Sequence, residues 1–194
     1  MIKFRKRDSI IKQGMFSTNV VYLRKGLAKI HLAGPYYEQI LRIVKSPSYL
    51  GLPTTIGDKI NQYSVTALDD AEVCFIDFST FRSLLQENDS FSYEIILELC
   101  RNELESMRRC SNRTQKQTRG NIADVLLEFA DHIYQNDRFV LPVSQAEIGN
   151  LVDTSRESVS RILTEFHKDG ILVLKGKVIE IINKKSLYLI SQNG

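Results

Sequence analysis

Apolar positions fall into two regimes along the chain. Between residues 2 and 78 they come in short runs separated by turn formers, and after that they recur at helical spacing. The runs Val20-Val21-Tyr22-Leu23, 27–32, 40–44 and 73–76 are rich in β-branched and aromatic residues. Gly14, Gly26, Gly34-Pro35, Pro47, Gly51 and Pro53 punctuate them at turn-like intervals. Many short strands so spaced predict a β-roll or jelly-roll. A long helix is predicted from about residue 90 to about residue 115, with Tyr93, Leu97, Cys100, Leu104 and Met107 at four-three spacing. That is the seam of a short coiled coil, the mark of a twofold dimer. A second stripe, Ile95, Ile96 and Leu99, is expected to pack on the roll of the same chain. Gly120 is read as breaking the long helix and Asn121 as capping the next, whose apolar set is Ile122, Val125, Leu126, Phe129, Ala130 and Ile133. The polar segment 114–121 between them predicts a domain boundary.

Residues 142–170 read as two short helices joined by a tight turn. Ser144-Gln145-Ala146-Glu147 is a capping box, and Thr154-Ser155-Arg156-Glu157 repeats the signature ten residues later. The first helix offers Ile148, Leu151 and Val152 to a core, and the second offers Val159, Ile162, Leu163 and Phe166, one helical stripe. Gly170 ends the second helix. Its opposite face carries Arg156, Glu157, Ser160 and Arg161, in the half of a helix-turn-helix that reaches base edges. Charged residues opposite an apolar stripe are usually only a solvated face. Two caps, a short turn and the pattern beyond Gly170 tip the balance towards DNA. There two β-rich runs, 171–174 and 178–182, flank Lys175-Gly176-Lys177, a hairpin with two lysines at its tip and thus the wing of a winged helix.

The stretch 143–163, VSQAEIGNLVDTSRESVSRIL, resembles the DNA-binding signature of the cyclic-AMP receptor protein / fumarate-nitrate regulator (CRP/FNR) family. Ser155-Arg156-Glu157, then Val159 and Arg161, stand where that family keeps its recognition residues. Gly14, Tyr22 and Lys25-Gly26 resemble the family's cyclic-nucleotide-type β-roll, and 77–87 resembles the helical turn that leaves it, with Ser79 as its cap. The resemblance covers nearly the whole chain and is tightest in the last third. Against the family pattern the chain begins late, lacking most of the leading helix and first strand, which leaves room for a shorter roll or one missing an edge strand.

The resemblance implies an α+β protein: a roll of the double-stranded β-helix or jelly-roll type over residues 1–88, a dimerisation helix over 89–116 and a winged helix-turn-helix over 117–194. It implies that Arg156, Glu157 and Arg161 read bases, and the chemistry agrees. Arginine pairs bidentately with guanine O6/N7, and glutamate accepts from cytosine N4; Glu157 has a second reading, as no more than the cap partner of Thr154. Ser144 and Ser155 at helix starts, Ser160 on the reading face, and Lys175 and Lys177 on the wing suit phosphate contacts. The partners implied are double-stranded DNA, a second copy of the chain and RNA polymerase. In the cyclic-nucleotide branch a Gly-Glu pair holds the ribose and an Arg-Ser pair the phosphate. The matching positions here read Gly51-Leu52-Pro53 and about Gln62-Tyr63-Ser64. Without the carboxylate and the guanidinium, tight cyclic-AMP binding is not expected, so the effector is an unidentified small molecule or none.

Composition narrows the remaining classes. The 194 residues are 43% hydrophobic and 25% charged, which suits packed domains rather than disorder. The net charge is only +3, and from residue 142 onward seven basic residues face six acidic ones, so a phosphate grip must come from placed residues and helix N-termini. Basic charge concentrates instead in residues 1–30, with eight Lys/Arg against Asp8, and in 101–119, with six against Glu103 and Glu105. Cys74, Cys100 and Cys110 are odd in number and form no C-x-x-C, so neither a disulfide framework nor a cysteine metal site is indicated. The start of the chain has no apolar signal region, and no run has transmembrane length. A cytoplasmic protein without a membrane partner is expected. No cofactor is expected either, and no catalytic constellation assembles. A cupin-like jelly-roll metalloenzyme with a helical appendage is the alternative, but it needs two histidines and a carboxylate on the roll, where His31 is the one histidine. A third reading makes the winged helix a protein-interaction module, which salt-insensitive or absent DNA binding would favour.

Overall fold

The computed structural model describes residues 1–194, the side chain of Asn193 excepted. Its contacts divide it into two units, Met1–Met107 and Arg108–Gly194.

The first unit opens with eight strands: β1 (Ile2–Phe4), β2 (Ser9–Ile11), β3 (Asn19–Lys25), β4 (Leu27–Ala33), β5 (Glu38–Lys45), β6 (Ser48–Leu50), β7 (Ser64–Ala67) and β8 (Ala71–Asp77). They form two four-stranded antiparallel sheets, ordered β1-β8-β3-β6 and β2-β7-β4-β5. The roll therefore has the eight strands of a jelly-roll rather than a reduced set. Alternation selects what enters it. Val21 and Leu23 of β3, Ala28 and Ile30 of β4, and Val65 and Ala67 of β7 meet in one buried cluster, whereas Val20 faces the other way. Gly26, at φ +100°, turns β3 into β4 where an added Cβ would lie 2.8 Å from Asp69 Oδ1 and 2.9 Å from the Asp70 carbonyl, so no side chain fits.

Two helices cover the sheet face that carries Val20: α1 (Phe78–Glu87) and α2 (Asp89–Gln115). Phe81, Leu52 and Ile95 are buried with Val20 beneath them, and Phe91 and Leu99 pack alongside. Asp77, not Ser79, caps α1, accepting from the backbone N–H groups of Ser79 and Thr80, and the Ser79 hydroxyl donates to the same carboxylate. Those bonds hold the Asp77 carboxyl below its ordinary pKa. Ile95 and Leu99 pack as expected, but Ile96 does not: it is 55% exposed and flanks the other stripe.

The second unit begins with residues 108–115 of α2, so the units divide within that helix, and the polar segment 114–121 lies inside the second. Arg109 pairs with Glu128 at 2.7 Å, and Asn112 and Lys116 both donate to Asp124. These partners lie on α3 (Thr118–Glu128), which continues as a π-helical turn, Phe129–Tyr134. Gly120 and Asn121 sit inside α3 and neither breaks nor caps a helix. Gly120 is required by packing: a Cβ there would come 2.7 Å from the Gly194 carbonyl oxygen. Beyond α3 the chain forms β9 (Arg138–Val140), α4 (Gln145–Val152), α5 (Arg156–Lys168), β10 (Leu172–Lys175), β11 (Val178–Ile181) and α6 (Lys184–Asn193). The three strands form one antiparallel sheet, β10-β11-β9. Ile122, Leu126, Ile148, Leu163, Phe166, Ile179 and Leu187 are wholly buried in this unit.

Candidate nucleic-acid interface

The interface is set by the turn between α4 and α5. Ser144 caps α4 in a complete capping box: its hydroxyl accepts from the Glu147 N–H at 3.2 Å, and Glu147 Oε2 accepts from the Ser144 N–H at 2.9 Å. The Ser144 hydroxyl also donates to that carboxylate at 3.0 Å. At the far end Asp153 adopts φ +55°, and the Thr154 N–H donates to the Gly149 carbonyl at 3.0 Å. The approach is so close that a Cβ on Gly149 would lie 2.5 Å from the Thr154 oxygen. Arg113 of α2 braces the turn, donating to the Leu151 carbonyl at 3.2 Å and lying 3.7 Å from Asp153.

The second cap sits one residue later than the repeated signature suggests. Ser155 caps α5, its Oγ accepting from the Ser158 N–H at 3.1 Å, so Thr154 and Glu157 form no capping box. Glu157 is thereby left to solvent: it and Arg156 are exposed, with no hydrogen-bonding or ionic partner among the described residues. Val159, Ile162, Leu163 and Phe166 form the buried stripe as expected. A Schellman motif ends the helix, with the Gly170 N–H donating to His167 O, the Ile171 N–H to Phe166 O, and Gly170 at φ +69°.

Arg156, Glu157, Ser160 and Arg161 line one open depression with Thr164, Glu165 and Lys168. Ser160 is half-buried, and its carbonyl accepts from the Thr164 hydroxyl at 2.8 Å. Arg161 Nη1 donates to Glu165 Oε1 at 2.9 Å, and the other oxygen of Glu165 faces Arg119 Nη1 at 3.5 Å. Arg119 donates to Asp169 at 3.0 Å and lies over the Phe166 ring, 5.1 Å from its centroid. Sequence reasoning singles out neither Arg119 nor Glu165; an i, i+4 pair of opposite charge at 161 and 165 is the available signal. The wing is the β10–β11 hairpin, with Gly176 at φ +61° in its two-residue turn and Lys175 and Lys177 exposed beside it.

On α2 the seam residues Tyr93, Leu104 and Met107 are 61%, 67% and 58% exposed; Cys100 is exposed and Leu97 half-buried. In the roll, Gly51 precedes a π-helical turn, Thr54–Asp58, and its backbone bonds the Tyr63 hydroxyl. Burial pushes the Tyr63 phenol up in pKa, against the opposing pull of Arg42 and of the Gly51 backbone. Arg42 is a guanidinium that sequence reading overlooks because it sits within the apolar run of β5; it donates to Asn102 of α2 at 2.5 Å. His31 bonds Thr66 at 2.9 Å and Glu38 at 2.9 Å. Among the described residues no group of three or more His, Cys, Asp or Glu is placed to hold a metal ion, and no helix is long and apolar enough to cross a membrane.

Residues 1–88 match the cyclic nucleotide-binding domain family, and residues 121–190 match the Crp-like helix-turn-helix domain family. The chain is 24% identical over 184 residues to the cAMP-activated global transcriptional regulator CRP of Escherichia coli O157:H7, covering 92% of this chain and 88% of that protein. It is 28% identical over 193 residues to the transcriptional activator protein FnrA of Stutzerimonas stutzeri, covering 94% and 77%. Among solved structures, FixK2 from Bradyrhizobium japonicum superposes with a TM-score of 0.88 at 19% identity, covering 97% of this chain and 95% of that one. A CRP-family transcriptional regulator from Thermus thermophilus superposes at 0.83 and 19% identity, covering 100% and 98%.

Proposed function

The chain belongs to the CRP/FNR family of DNA-binding transcription regulators, and from that premise we propose that it works as a homodimer on an inverted-repeat operator. The observation that carries this reading is the division of α5 into a buried stripe and an exposed face bearing Arg156, Glu157 and Arg161. These three read bases. Ser144, Ser155, Ser160, Lys175 and Lys177 meet the sugar-phosphate backbone; because the Ser144 and Ser155 side chains are engaged in caps, the helix-start N–H groups beside them are the better donors. The exposed stripe of Tyr93, Leu97, Cys100, Leu104 and Met107 joins two copies, so that two α5 helices enter successive major grooves, about 34 Å apart. In this division of labour residues 1–88 form the effector-type domain, 89–116 the dimerisation helix and 117–194 the reader.

The protein acts in the cytoplasm, has no catalytic activity and engages RNA polymerase, as its family does. Its effector is an unidentified small molecule or none. Neither Gly51-Leu52-Pro53 nor the stretch about Gln62-Tyr63-Ser64 supplies the carboxylate and the guanidinium that cyclic AMP would need, and Arg42 is already engaged with Asn102. Titration calorimetry with cyclic AMP is expected to give no micromolar binding. The test of the whole reading is selection of bound duplexes from a random pool by the purified protein with no ligand added. An inverted repeat is the expected product, and enrichment without dyad symmetry would refute the dimeric reader. No enrichment under any salt condition would favour an obligatory effector or a winged helix that does not read DNA.

A further inference from the structure

The two arginines on the reading face of α5 are held differently. Arg156 has no partner among the described residues. Arg161 is bonded through one nitrogen to Glu165 Oε1, and Glu165 is held from behind by Arg119. Arg119 is itself rooted in the fold: it comes from the first turn of α3, donates to Asp169 and lies over the buried Phe166 ring. A carboxylate that lies 3.5 Å from one anchored cation thus reaches the side of a second cation that points to solvent.

A guanidinium has five N–H donors. The bond to Glu165 uses Nη1 and leaves enough to pair with the O6 and N7 of a guanine. Bidentate reading of a base edge is therefore compatible with the Arg161–Glu165 pair. Swinging away to a backbone phosphate is not, because the side chain must first leave Glu165. The pair also removes rotamer freedom before DNA arrives, which favours the contact demanding the stricter geometry. Arg156 is under no such restraint and follows either base or phosphate.

We propose that Glu165, anchored by Arg119, is a specificity-determining residue that buttresses Arg161 for base reading and withholds it from phosphates. This rests on the assignment of Arg161 to a base. It makes Arg161 the strict reader of the helix and Arg156 the adaptable one.

The test compares full-length wild type, Arg156→Ala, Arg161→Ala and Glu165→Gln in duplex selection and in titrations with the recovered operator and a random-sequence duplex. The two alanine variants identify the base pair each arginine reads. Glu165→Gln is expected to lower discrimination at the Arg161 base pair by about five- to tenfold and leave the Arg156 pair unchanged. It should bind the random duplex about three- to tenfold more tightly, with a steeper dependence on salt as one further phosphate contact forms. The double variant Arg161→Ala/Glu165→Gln should bind the random duplex no more tightly than Arg161→Ala. Equal discrimination by wild type and Glu165→Gln, with equal affinity for the random duplex, would overturn the proposal while leaving Arg161 a base reader. An Arg161→Ala variant that loses affinity equally on every sequence would overturn both. Melting temperatures within a few degrees of wild type separate these effects from loss of fold.

Discussion

Thr154 and Ser155 are adjacent hydroxyl residues, either of which suits the start of α5, and the one-residue choice between them decides what Glu157 does. With Ser155 as cap, the third helical position falls on Ser158, and Glu157 turns to solvent. Ser155→Ala is expected to destabilise the fold by about 1 kcal/mol and Thr154→Ala by less, read as melting temperatures. The same ambiguity hides Asp77 behind Ser79, since both residues cap well and neither spacing nor polarity ranks them. Gly120 misleads for a different reason. A glycine admitted for close packing looks, in sequence, like one that breaks a helix, and only the approach of Gly194 separates the two. Gly120→Ala is expected to lower stability by about 1–3 kcal/mol through overpacking. On the reading face, Arg156→Ala and Arg161→Ala are each expected to relax specificity by roughly 1–3 kcal/mol at one base pair, measured by competition among operator variants.

Elements with a long, regular pattern are legible in the sequence. The two helices of the reader, the hairpin after them, α2 and the four apolar runs of β3, β4, β5 and β8 all stand where periodicity puts them. The three-residue strands β1, β2 and β6 are too short for alternation to register. Helix α6 escapes notice because, among its described residues, only Leu187 and Ser191 are buried, and polar contacts hold Lys184 and Tyr188. Lys184, at its start, lies 2.6 Å from Asp131 and 2.5 Å from Asp137, and the Tyr188 hydroxyl donates to Asp131. Burial pushes the Asp131 carboxyl up in pKa, but the bonds from Lys184 and Tyr188 outweigh it and hold the group below its ordinary value. The bonds to Asp131 and Asp137 raise Lys184 above its own ordinary value. A depressed carboxyl contributes stability above its unfolded pKa and loses it as pH falls through the folded one; a raised ammonium contributes below its unfolded pKa and loses it as pH rises through the folded one. The difference in melting temperature between wild type and Lys184→Met is therefore expected to be flat from about pH 5 to pH 9 and to shrink below about pH 4.

For the whole molecule the proposed association of two copies is what a measurement must decide, and it concerns one stripe of α2. The four-three spacing marks Tyr93, Leu97, Cys100, Leu104 and Met107, and the structure leaves three of these large apolar side chains more than half exposed, with Ile96 beside them. Isolated exposed apolar residues need no explanation, but a row of them along one helix does. Sedimentation at micromolar concentration is expected to give a dimer, and Leu104→Glu with Met107→Glu a monomer that binds the inverted repeat far more weakly. On the proposed seam Cys100 would lie near the twofold axis, so mild oxidation should join two copies through it and Cys100→Ser should abolish that product; a monomer unaffected by either change would refute the seam. What sequence could not supply is the way residues 108–115 of the same helix are bound to the reader. The contacts of Arg109, Asn112 and Arg113 are polar and reach residues 12 to 38 positions away, and no local pattern announces them.

The split character of α5 bears on how such a regulator changes over generations. Val159, Ile162, Leu163 and Phe166 keep the unit folded, while Arg156, Glu157 and Arg161 stand outside its core. On the proposed assignment of Arg156, Glu157 and Arg161 to bases, robustness and novelty are carried by separate codons of one short helix. A duplicated gene can drift to a new set of promoters through two or three substitutions without passing through an unfolded intermediate, because changes at exposed positions usually stay within about 0.5 kcal/mol. A library randomised at 156, 157 and 161 should consist mostly of folded, soluble variants with dispersed DNA preferences, whereas one randomised at 159, 162 and 166 should yield few that survive proteolysis.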